Sequence, residues 1–189
     1  VFPDGTIDTE VGERIQDKKQ MLMMGRSVVW NKIYRREWLL TTGILFPKGC
    51  IYEDVEFFVK LVPHIGKYSY VDEASIYYVQ RGDSINNKQT LKTLDILKVL
   101  QHIKDYYVEQ NWYEEYREAL EFFYTRILLC SSFSRMSRIA NKKERKKALQ
   151  KNWDTLQKNF PNLVAFYAIC RYNKIELSAT DKKRKNFTH

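Results

Sequence analysis

The chain has 189 residues, and 44% of them are hydrophobic, which is enough to bury a core and excludes a wholly disordered chain. Its 7 glycines and 4 prolines are too few for an all-β protein built on many tight turns. The formal net charge of +9 favours an acidic partner, and nucleic acid, anionic lipid headgroups and phosphorylated substrates all fit it.

The first part of the chain, up to about residue 88, combines helical and strand-like patterns. Residues 67–71 and 74–80 are rich in Tyr, Val and Ile and predict two strands, so this part predicts a small mixed α/β unit. Three helices are also predicted, each followed by a residue that ends it: 8–24 before Gly25, 31–42 before Gly43, and 52–61 before Pro63 and Gly66.

Beyond residue 88 the pattern is helical. Helices are predicted over residues 112–136 and 142–159, and Pro161 opens a last one before a loose basic tail. The predicted fold class is α+β and predominantly helical, with the mixed α/β part over residues 1–88 and a helical extension over residues 89–189. One amphipathic helix face is marked by regularly spaced apolar residues: Ile96, Val99, Leu100, Ile103 and Tyr107.

Cysteine and histidine usage predicts neither disulfides nor a metal site. The three cysteines are far apart, and such an odd, unpatterned set is typical of reduced thiols in the cytosol. The three histidines fit no ligand spacing. No apolar run approaches the roughly 20 residues of a membrane-spanning helix. We therefore expect a cytoplasmic location, with peripheral attachment to the inner membrane surface as an extension of it.

Four short motifs follow one another in the first part of the chain. The motifs are Val29-Trp-Asn-Lys-Ile-Tyr34, Gly43-Ile-Leu-Phe-Pro47, Ile51-Tyr-Glu-Asp54, and Ile76-Tyr-Tyr78 with the turn that follows it. Together they resemble the C-terminal, acceptor-side half of bacterial family 2 glycosyltransferases, which build capsule and other surface polysaccharides. The resemblance covers roughly residues 27–87.

This resemblance implies an enzyme of GT-A-type fold that transfers a sugar from a nucleotide-sugar donor to a saccharide or lipid-linked acceptor. Family members hold Mg²⁺ or Mn²⁺ with an Asp-x-Asp motif in the donor half. No Asp-x-Asp occurs in this sequence, so the metal ligands are expected outside this chain. We interpret the chain as a fragment that lacks the donor half and is inactive alone.

The resemblance also assigns the catalytic residues. Asp54 corresponds to the family's expected base, and a carboxylate within reach of a sugar hydroxyl can remove its proton during attack on the anomeric carbon. A position at the start of a helix would favour its ionised form. Glu53 is interpreted as a second catalytic carboxylate that orients Asp54 or the acceptor, or as an acidic residue that satisfies helix N–H groups.

Five further residues are predicted to bind substrate. Trp30 is interpreted as a residue that stacks on a sugar or packs in the core, and Asn31 as a ligand or as the cap of the next helix. Lys32 is interpreted as a ligand of hydroxyl or phosphate groups. Arg81 is interpreted as a phosphate-binding cation or as an exposed residue at a strand end, and Ser84 as a phosphate ligand or helix cap.

Two alternatives assign the chain no catalytic role, and the first of them accounts for its charge. The chain is then a basic helical module that binds nucleic acid or an anionic membrane through the Lys/Arg clusters at 142–147 and 182–185. No known nucleic-acid reader motif is present, so nucleic acid is not expected as a partner. Alternatively, the helices between residues 88 and 170 form a homodimer.

Overall fold

We describe the fold from a computed structural model, which defines residues 15–71 and 89–160. These stretches contain seven α-helices, 3₁₀ turns at Val62–His64 and Leu91–Leu94, and a π-helical segment at Ile127–Ser132. The helices are α1 Lys18–Met24, α2 Arg36–Thr42, α3 Glu53–Leu61, α4 Asp95–Glu109, α5 Tyr113–Arg126, α6 Phe133–Ser137 and α7 Lys142–Asn159.

No strand forms within the described stretches, so the prediction of a small mixed α/β part of a GT-A-type fold is wrong there. The predicted strand at 67–71 does not form. Its Tyr68 and Tyr70 side chains reach Ile15 instead: the Tyr68 hydroxyl donates to the Ile15 carbonyl at 2.9 Å, and the Ile15 N–H donates to the Tyr70 hydroxyl at 2.9 Å. A β-like composition describes side chains, whereas a strand needs a backbone partner, and none pairs here among the described residues. The other predicted strand, at 74–80, lies outside the described stretches.

Within the described residues, the predicted helices 8–24 and 31–42 begin later than expected, and positions 8–14 of the first lie outside the described stretches. α1 begins after Asp17, whose carboxylate accepts from the Gln20 N–H at 2.8 Å and caps the helix. α2 begins at Arg36 rather than Asn31, because the preceding residues form an irregular loop. Its predicted end is confirmed: Gly43 adopts φ 66°, a left-handed conformation that glycine enters without penalty.

The predicted α3 and its end are confirmed. Pro63 also leaves a backbone carbonyl of α3 open to a hydrogen bond from α4. Because Pro63 has no N–H, it cannot donate to the Val59 carbonyl one helical turn earlier. The Tyr107 hydroxyl of α4 donates to that carbonyl at 2.9 Å instead, in the buried interface between α3 and α4. The hydroxyl thus satisfies an acceptor that would otherwise be buried without a partner.

The main core joins both parts of the chain. The five apolar residues predicted on one face of α4 are all buried, as expected. They pack with side chains from α1, α3, α5, α6 and α7 in one continuous cluster. A smaller cluster forms on the other side of α3, where Phe57 meets Tyr34, Ile44 and Phe46. The second cluster therefore joins side chains from two of the four sequence motifs to Phe57, which lies just after the third.

The predicted helix over 112–136 is confirmed with one change. α5, the π segment and α6 form one uninterrupted helical path, and the π segment was not predicted. A buried Asn152 of α7 donates to the Leu128 carbonyl in the π segment at 2.7 Å, which fixes α7 against the bundle. No helix in the described stretches is long and apolar enough to cross a membrane.

Candidate functional site

The start of α3 carries the two predicted catalytic carboxylates. Tyr52 precedes the helix with φ 71°, a conformation that is costly for a bulky side chain and that turns the chain sharply into α3. Glu53 is exposed, whereas Asp54 is only partly so. One Asp54 oxygen accepts the Val55 N–H at 2.8 Å, so the carboxylate is held against the first turn.

The pKa of Asp54 is raised above that of an ordinary aspartate. Burial is the largest cause, and the nearby Glu53 raises the pKa further. The hydrogen bond from the Val55 N–H and the charge of Arg135 act in the opposite direction. The helix start therefore favours ionisation, as expected, but burial outweighs it. A carboxylate with a raised pKa accepts a proton more strongly than an exposed one.

Lys32 lies near Asp54 but is occupied by its own loop. Its ammonium donates to the Val28 carbonyl at 2.8 Å, to the Asn31 side-chain oxygen at 2.7 Å and to the Arg26 carbonyl. An ammonium has three N–H donors, so all of them are used. Burial lowers the pKa of Lys32 to about 8, and the charge of Asp54 raises it without reversing that effect. Substrate binding by Lys32 would require one of these bonds to exchange.

Trp30 and Asn31 do not have the structural roles considered for them. Trp30 is 42% exposed, so it is not a core residue. Asn31 bonds to Lys32 and does not cap α2, whose N-cap is Arg35. Both side chains lie on the surface of the loop that Lys32 holds, and Trp30 presents part of its ring to solvent. The other two predicted ligands, Arg81 and Ser84, lie outside the described stretches.

Sequence reasoning missed Arg135, which α6 brings to the start of α3. Its guanidinium lies 5.3 Å from the centre of the Tyr52 ring and also hydrogen-bonds that residue. Its charge lowers the pKa values of both Tyr52 and Asp54, although burial raises both pKa values overall. Arg135 is 81 positions from Asp54 and belongs to no motif, so no local signal marked it.

A second carboxylate of α3 has a different environment. Glu56 is buried, and its two oxygens accept from Lys60 at 2.7 Å and from the His102 ring at 2.9 Å. The three side chains join α3 to α4, and Glu56 has no free oxygen for a substrate. Positions 54 and 56 lie on different sides of a helix, so the pair does not act as one acidic site.

The metal that the resemblance implies is expected to take its ligands from the donor half, outside this chain. In residues 15–71 and 89–160, no three His, Cys, Asp or Glu side chains come together as a metal-binding group. Asp54 is a partly buried carboxylate that follows Glu53 in the sequence. The cations Lys32 and Arg135 lie near it. Such a group can accept a proton and orient a hydroxyl. Comparisons of this chain with protein-family models, with curated proteins and with solved structures find no match.

Proposed function

We propose that this chain is the acceptor-side part of a bacterial sugar transferase that uses a nucleotide-sugar donor. The observation that carries the proposal is the environment of Asp54: a partly buried carboxylate, held by a backbone N–H, with a raised pKa. The motifs support it too, because side chains from two of them meet in one cluster with Phe57, which follows Asp54 by three residues.

In this proposal Asp54 is the general base. The acceptor hydroxyl donates a hydrogen bond to the Asp54 carboxylate, its proton passes to that carboxylate, and the hydroxyl oxygen attacks the anomeric carbon of the donor. The nucleoside diphosphate departs with its bonding electrons. Glu53, exposed on the same turn, binds an acceptor hydroxyl, and Trp30 supplies an aromatic face to the saccharide.

The test compares wild type with Asp54→Asn in the complete gene product, using a panel of nucleotide sugars and saccharide or lipid-linked acceptors. Asparagine keeps the shape of the side chain but cannot accept the proton, so we expect a rate loss on the order of 100-fold or more. Circular dichroism verifies that the variant folds.

The matched control is Glu37→Gln, which neutralises an exposed acidic residue in the first turn of α2. Its transfer rate should equal that of wild type. If Asp54→Asn keeps most of the activity, Asp54 is an ordinary first-turn acid. If wild type transfers from none of the donors, the proposed function itself fails.

A further inference from the structure

The exposed side of α7 carries most of the described basic cluster. Lys142, Lys146, Leu149 and Trp153 are spaced so that they form one stripe along the helix, and Lys143, Lys147 and Lys151 form a second stripe beside it. All five lysines are exposed, and Trp153 is 47% exposed. The opposite face is packed into the bundle through Ala148, Asn152 and Leu156.

No acidic side chain among the described residues balances the charge of these lysines through an ion pair. None of the five forms an ion pair with another described residue, whereas lysines elsewhere do, such as Lys60 with Glu56 at 2.7 Å. Arg145, the remaining cation of the cluster, is turned back to the Ile139 carbonyl at 3.0 Å. The exposed cations are therefore all lysines, which act as hydrated point charges rather than as planar forks that read base edges.

Apolar atoms lie among these charges. A shallow hollow of about 410 Å³ runs along the first stripe, and its described lining is Lys142, Arg145, Lys146, Leu149, Gln150 and Trp153. The phosphate backbone of a nucleic-acid duplex is charged and offers little apolar surface to Leu149 and Trp153. A bilayer surface does, because an indole ring is favoured at the headgroup level, where lysine charges meet anionic phosphates.

From this arrangement we propose that the α7 face, defined by these five lysines with Leu149 and Trp153, binds the surface of an anionic phospholipid bilayer. The lysines contact headgroup phosphates, and Trp153 enters the interface without crossing it. The attraction is between exposed charges, which salt screens. The affinity for the bilayer therefore falls steeply as the salt concentration rises. This inference does not depend on the proposed sugar transfer, because it uses no residue of the Asp54 site.

The test uses the full chain and vesicles of phosphatidylcholine with or without phosphatidylglycerol. Flotation at low salt should show binding only to the anionic vesicles. Lys143→Gln/Lys146→Gln/Lys147→Gln should weaken it on the order of 100-fold, since each lysine near an anionic surface contributes roughly fivefold. The matched control, Lys19→Gln/Lys48→Gln/Lys67→Gln, removes the same charge from exposed lysines elsewhere and should bind like wild type.

Trp153→Phe supplies a second readout. Tryptophan fluorescence of wild type should shift to shorter wavelength on adding anionic vesicles, and the shift should disappear in the variant, which keeps every charge. Equal losses in both triple variants would reduce the effect to net charge and overturn the proposal. Binding to random-sequence DNA without binding to vesicles would overturn it in favour of nucleic acid.

Discussion

At the scale of single residues, Lys32 shows how one cation can organise a loop. Its ammonium binds two backbone carbonyls and the Asn31 side chain, and it lies 4.5 Å from the centre of the Phe58 ring. The loop between α1 and α2 therefore closes on a charge that is largely removed from water. Burial of that charge is unfavourable, which is why the pKa of Lys32 falls to about 8.

This shift predicts a pH dependence of stability. In the unfolded chain Lys32 keeps its proton up to its ordinary pKa, about 10.5, whereas in the folded protein it loses the proton from about pH 8. The unfolded state binds more protons in that window, so the contribution of Lys32 to the free energy of unfolding rises with pH there. Lys32→Met lacks this contribution, and wild type should gain stability relative to it between pH 8 and pH 10.

Urea denaturation of both proteins at several pH values measures this difference. Lys19→Met, a change at an exposed lysine of α1, serves as the control and should track wild type across the range. A stability difference between wild type and Lys32→Met that stays constant from pH 7 to pH 10 would show that the Lys32 ammonium is not desolvated.

At the scale of helices, α3 contributes side chains to both hydrophobic clusters of the described residues. One side packs against α1 and α4 in the main core, and Phe57 and Leu61 face the smaller cluster formed by the motif residues. Its first turn presents Asp54, while Glu56 binds Lys60 and His102. A single helix thus places the candidate base and also connects it rigidly to the bundle.

The junction of α3 and α4 gives a prediction about Tyr107. Tyr107→Phe leaves the Val59 carbonyl buried without a donor and should lower the free energy of unfolding by about 1–2 kcal/mol. In a Pro63→Ala background the new N–H can supply that donor, so the same change should cost less. A double-mutant cycle followed by urea denaturation measures the coupling. Equal costs in both backgrounds would mean that the Tyr107 hydroxyl does not substitute for the missing proline N–H.

At the scale of the whole molecule, the main core crosses the predicted boundary near residue 88. Leu22 and Val59 from the first described stretch pack in one cluster with Phe123 and Leu156 from the second. The two stretches are therefore expected to unfold together.

Urea unfolding followed by far-ultraviolet circular dichroism and by tryptophan fluorescence tests this expectation. Tryptophans lie in both stretches, at positions 30, 38, 112 and 153, so the two probes cover both. The curves should coincide in a single transition. Two separate transitions would indicate that residues up to 88 and those beyond it fold as independent domains.

The sequence alone determined the helices with long, regular patterns. The α4 face, the 18-residue α7 and the end of α2 at Gly43 follow from apolar spacing and glycine chemistry, which are local properties. The position of Asp54 at a helix start was also predictable, because the apolar run that follows Asp54 and the break at Pro63 fix where α3 lies.

Only the tertiary structure decided the features that depend on distant partners. Residues 67–71 form no strand because strand formation requires a backbone partner, and tyrosine side chains meet Ile15 instead. α2 begins later than predicted because residues 26–32 form a loop in which three oxygen atoms bind the Lys32 ammonium. Arg135 contacts Tyr52 because α6 packs near the start of α3. Burial raises the pKa of Asp54, and no local sequence pattern reports burial.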